Sequence, residues 1–109
     1  MLEPLLGSAT REQLLVFILA RQEAYARQIA AFFGSKLYAV QRQLEKLEAG
    51  GVLVSRLAGR TRLYEFNPRY AFLRELQTLL AKALDFYPEE ERARIRMNRR
   101  RPRRQGKPL

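Results

Sequence analysis

The sequence predicts a mainly α-helical fold with one small β-hairpin, and three observations carry that reading. Residues 10–21, 26–33, 36–49 and 68–86 space their apolar side chains as helices do. Residues 52–57 and 61–66 are β-rich runs around Ala58-Gly59-Arg60, the pattern of a hairpin. The third is order: helix, glycine turn, helix and hairpin are packed into AAFFGSKLYAVQRQLEKLEAGGVLVSRLAGRTRLYEFN, residues 30–67. At 109 residues the chain has room for one domain with a modest core, expected over 8–87, followed by a basic arm over 88–109.

Residues 1–7 read as a leader that Pro4 keeps from being helical. Ser8 or Thr10 can cap the first long helix, and Thr10 with Gln13 has the form of a capping box. That helix contains QLLVFILA, apolar nearly all round, so it is either central or has one side on a second subunit. After a connection at 22–24, the second helix carries Ile29, Phe32 and Phe33 inward and stops at Gly34. The third starts at Ser35 or Lys36, with Ser35 the candidate cap, and ends at Gly50-Gly51. Leu37, Val40, Leu44 and Leu47 form its inner face; Lys36, Tyr38, Ala39, Gln41, Arg42 and Lys46 form the outer one. In the hairpin Tyr64 and Phe66 share a face by period two and point inward. Asn67-Pro68 predicts a cap followed by proline at the first helical position. The helix after it carries Leu73, Leu76, Leu80 and Leu84 as a stripe, flanked by Phe72, Leu79 and Ala83. Pro88 interrupts; residues 89–97 can form a short charged helix, and disorder is expected beyond Asn98.

Charge is concentrated at one end. Of 21 Lys and Arg residues, nine follow Glu91, which leaves 12 basic against 11 acidic groups before them. The net charge of +10 therefore belongs mostly to the arm, and a polyanion is the partner such an arm favours. The chain has no Cys and no His, which excludes disulfides, thiolate metal sites, imidazole bases and Cys nucleophiles. No cofactor or metal is expected. The longest apolar run, residues 14–20, is far short of a membrane span, and no signal segment opens the sequence, so a cytoplasmic location is expected.

A helix that reads a major groove needs donors and slim side chains on its exposed turns. The third helix offers Arg42, Gln41 and Ala39, with Tyr38 and Lys46 beside them and Ser35 and Lys36 near the phosphates. A polar helix face alone is common. The hairpin sharpens the reading, because Arg56, Arg60, Thr61 and Arg62 crowd its strands and tip, and Glu65 is the only acid between Leu53 and Asn67. Such a cluster directly after the helix suits the DNA backbone or a minor groove. Arg99, Arg100, Arg101, Arg103 and Arg104 in the arm suit tracking of the phosphates without sequence readout.

The segment AVQRQLEKLEAGGVLVSRLAGRTRLYEFNP resembles the winged helix-turn-helix of ArsR-like bacterial and archaeal transcriptional regulators. The shared pattern is a V-x-R-x-L recognition helix (Val40, Arg42, Leu44), then L-E-x-x-G (Leu47, Glu48, Gly51). A Gly-Arg wing (Gly59, Arg60) and an aromatic second strand ending at asparagine (Tyr64, Asn67) follow. The resemblance implies a homodimer on a pseudo-palindromic double-stranded DNA site, joined through its first and last helices. Leu14, Phe17, Ile18, Leu76, Leu80 and Leu84 are the expected interface residues. It also implies a recognition helix over about 36–49 and a wing over about 57–62. Metal-sensing members use Cys, His and carboxylates, and two of those three ligand types are missing here.

Two other binding readings compete. One is an RNA or nonspecific nucleic-acid binder driven by the arginine arm; the other is a protein-interaction module anchored on Leu37 and Tyr38. An enzyme is not expected, because no hydroxyl–lysine pair or glycine-rich phosphate cradle stands out, and Glu89-Glu90-Glu91 reads as the acidic start of a helix.

Overall fold

Five consecutive side chains of one helix, Leu14, Leu15, Val16, Phe17 and Ile18, are all buried, and the other elements are arranged around them. The computed structural model describes residues 1–97. Within them run α1 (Glu3–Leu6), α2 (Ala9–Arg21), α3 (Ala26–Phe33), α4 (Leu37–Ala49), β1 (Leu53–Ala58), β2 (Thr61–Phe66), α5 (Leu73–Asp85) and α6 (Glu89–Arg96). Helix α2 touches all five other helices and β2. Its all-round apolar character is thus the mark of a central helix. Each of its large buried side chains stabilises the fold by roughly 1.5–3 kcal/mol.

That position corrects the interface expected from sequence. Leu14, Phe17, Ile18, Leu80 and Leu84 are at most 2% exposed within a single chain, so they offer no surface to a second copy. Of the six expected interface residues only Leu76 is partly exposed. The outer side of α5 instead shows Phe72 (64% exposed), a half-buried Leu79 and Phe86 (67% exposed) at seven-residue steps.

Several boundaries move for local reasons. Pro4 sits in the first turn of α1, where no backbone donor is needed, so residues 3–6 make a helical turn where a leader was expected. Ser8, not Thr10, caps α2: its Oγ accepts from the Arg11 amide at 3.1 Å. Ser35 does not cap α4. Its amide donates to the Ala30 carbonyl at 2.9 Å, closing α3 behind Gly34 at φ 68, and Lys36 becomes the N-cap without a side-chain bond. Asn67 turns the chain instead of starting a helix. Its Oδ1 accepts from the Arg69 amide, its Nδ2 donates to the Gly51 carbonyl, and α5 begins only at Leu73.

The expected domain boundary at residue 87 falls inside the packed body. Ile95 of α6 is fully buried, and Arg21 donates from Nε to the Ile95 carbonyl at 2.7 Å and from Nη2 to the Arg94 carbonyl at 3.0 Å. The expected arm residues Arg99, Arg100, Arg101, Arg103 and Arg104 lie outside the described residues.

Candidate nucleic-acid interface

Val40 and Leu44, both fully buried, and Leu47 fix the rotation of α4 about its axis. The opposite side then faces solvent whatever its chemistry: Tyr38 is 69% exposed, and Gln41, Arg42, Glu45 and Lys46 are exposed with it. Lys36 is exposed, while Ser35 and Ala39 are half-buried. Arg42 Nη1 donates to the Tyr38 hydroxyl at 3.0 Å, one turn back along the same face.

The hairpin pairs β1 antiparallel to β2, with Ser55 opposite Tyr64 and Leu57 opposite Arg62. Alternation puts those four side chains on one face and Arg56, Leu63, Val54 and Glu65 on the other. Gly59 at φ 66 turns the tip. At its base the hairpin is held by Ala24, which exchanges amide and carbonyl bonds of 3.0 and 2.8 Å with Tyr64. A side-chain relay ties it to α4: Arg62 Nη1 donates to Ser55 Oγ at 2.8 Å, and that hydroxyl donates to Glu48 Oε2 at 2.8 Å. Burial, then the Glu48 and Glu45 carboxylates, push the Tyr64 phenol above its ordinary value, with Arg62 partly opposing them.

An open depression of ≈ 560 Å³ joins these parts. Its lining includes Gln41, Glu45 and Glu48 of α4, Arg60, Thr61 and Arg62 at the hairpin tip, and Tyr25 and Arg27 at the start of α3. Gln41 and the hairpin tip therefore open to the same side. Arg56 does not join them. It lies on the other hairpin face, where its Nη2 is ion-paired with Glu23 Oε1 at 2.8 Å.

Tyr25, Arg27 and Glu45 belong to this surface and were missed from sequence. A signal for Arg27 existed: it lies in the first turn of α3, the positive end of the helix dipole, and α3 has no acid there. Helix α4 opens the same way, behind Lys36 and with no acid in its first turn. Helices selected only for their own stability favour the reverse. Among the described residues no group of three or more His, Cys, Asp or Glu side chains is placed to hold a metal ion. No helix among them is long and apolar enough to cross a membrane.

A helix, a glycine turn, a second helix rotated outward and a hairpin beside it define a winged helix, and solved structures match the arrangement. A double mutant of ZitR from Lactococcus lactis in its apo form superposes with a TM-score of 0.54, at 21% identity over 80% of this chain and 74% of that one. The adhesin competence repressor AdcR from Streptococcus pyogenes gives 0.52 at 14% identity, over 81% of this chain and 73% of that one. No family model and no curated protein matches the sequence. The likeness is one of fold.

Proposed function

We propose that the chain is a sequence-specific double-stranded DNA-binding transcriptional regulator of ArsR-like type. The observation that carries this is the shared opening of Gln41 on α4 with Arg60 and Arg62 on the hairpin. Helix α4, 13 residues and about 20 Å long, enters the major groove. Arg42 and Gln41 contact base edges, Tyr38 and Ala39 pack on thymine methyl groups, and Ser35, Lys36 and Lys46 meet phosphates. Arg60, Thr61 and Arg62 lie on the flanking backbone or minor groove, with Arg27 as a further phosphate contact. AdcR, by name a repressor, supports the class.

The protein acts as a homodimer whose two α4 helices sit about 34 Å apart, one DNA turn. The seam uses Leu76 and Leu79 of α5 with Phe72 and Phe86 at its two ends, in place of the buried leucines. Exposed apolar stripes of this kind are uncommon on monomers. The arm past Met97 adds affinity without choosing the site.

Selection of genomic fragments with purified protein tests the proposal. A single pseudo-palindromic site is expected, its affinity falling at least tenfold in Arg42→Ala and in Arg60→Ala/Arg62→Ala. Removing residues 98–109 should weaken binding and keep the site. Loss of all binding in that truncated form, with both arginine variants unaffected, would instead favour an RNA or nonspecific binder driven by the arm.

A further inference from the structure

The centre of the exposed α4 face holds an acid. Glu45 lies one turn beyond Gln41 and three residues beyond Arg42, so all three side chains share a side of the helix. It is exposed and lines the same depression as Gln41, Arg60 and Arg62. Three of the polar groups around it bond one another or their own neighbours: Arg42 with Tyr38, Arg62 with Ser55, and Ser55 with Glu48. Among the described residues no Lys or Arg forms an ion pair with Glu45. An acid held there without an ion pair faces the polyanion, which costs affinity for any duplex unless the carboxylate finds a donor.

A carboxylate only accepts hydrogen bonds. In the major groove guanine shows N7 and O6 and thymine shows O4, all acceptors that repel it, whereas cytosine shows an N4 amino donor without a neighbouring acceptor. Resting on the functional reading above, we infer that Glu45 is a specificity-determining residue that accepts from cytosine N4, one base step from the pair contacted by Arg42. Three helical residues advance about 4.5 Å, against a base step of about 3.4 Å, so the two contacts fall on neighbouring pairs. Arg42 takes the guanine and Glu45 the cytosine, and the same carboxylate lowers binding to unrelated DNA.

The test is selection with the full chain and with Glu45→Gln and Glu45→Ala at one salt concentration, followed by affinities for the selected duplex and each single-base variant of it. Both substitutions are on an exposed helix surface and leave folding intact. Expected are a cytosine preference at one position per half-site in the unaltered protein, its loss by about 5- to 150-fold in both variants, and unchanged preferences elsewhere. Binding to unrelated duplex should rise in both. Identical base preferences in all three proteins, with affinity raised equally for every sequence, would overturn the inference and reduce Glu45 to a bulk charge. Failure of the unaltered protein to select any site would overturn the functional reading itself, and this inference with it.

Discussion

Glu12 is 4% exposed and is the one charged side chain inside the described core. Burial alone would raise its carboxyl, but the Tyr87 hydroxyl at 2.7 Å, the Leu2 amide at 2.7 Å and the Met1 amino group reverse this, and the net shift is downward. Tyr87 moves the opposite way, pushed up first by burial and then by the carboxylate it donates to. The linkage follows from the signs. With its folded value below the ordinary 4.5, Glu12 stabilises the fold fully above that pH, and the contribution disappears as pH falls through the lowered value. Tyr87, whose ordinary value is 10.0, contributes below that pH and loses its contribution as pH rises past it. Glu12→Gln should cost about 1–3 kcal/mol in urea unfolding at pH 7 and flatten the acid limb of the stability curve. An unchanged acid limb would show that this carboxyl is not the group titrating there.

At the scale of elements, backbone geometry and packing can be probed separately. Gly34 is left-handed at φ 68, and a Cβ built there meets nothing within 4 Å, so Gly34→Ala should cost only the backbone term, about 1–2 kcal/mol. A larger loss would mean that the turn between α3 and α4 is sterically closed. For α6, Ile95→Ala should cost about 2–5 kcal/mol, and a chain ending at Tyr87 should be less stable than one ending at Met97. Equal melting temperatures for those two truncations would restore the boundary expected from sequence. That boundary was illegible for a physical reason. What docks α6 is one isoleucine within EEERARIR together with Arg21, which lies 4.4 Å over the Phe17 ring and bonds the last carbonyls of the helix. Local periodicity cannot show a contact between residues 21 and 95. By contrast α3, α4 and the hairpin were legible almost to the residue, because glycine stops and alternating side chains mark them locally. Within the site, the outward rotation of α4 followed from its leucines. The sidedness of Arg56 did not, since it depends on strand register and on the distant Glu23.

At the scale of the molecule, electrostatics and symmetry add two expectations to the winged-helix account. Six of the chain's basic residues lie beyond Met97. Deleting them should lower the salt slope of binding by at most about five, at roughly 0.9 per phosphate contact, and leave the selected site intact. A charged residue on the outer stripe of α5, as in Leu79→Glu, should convert a dimer seen by sedimentation into a monomer; an unchanged mass would move the seam elsewhere. The central claim is narrower: the Gln41 side of α4 and the Arg60 hairpin tip contact one duplex together. Amide chemical-shift mapping of the labelled protein, titrated with its selected duplex, tests that most directly. Changes concentrated at once on residues 36–46 and on 58–62, with the outer stripe of α5 unmoved by DNA, are the predicted result. Changes confined to α5, or to one of the two groups while the other stays silent, would contradict it.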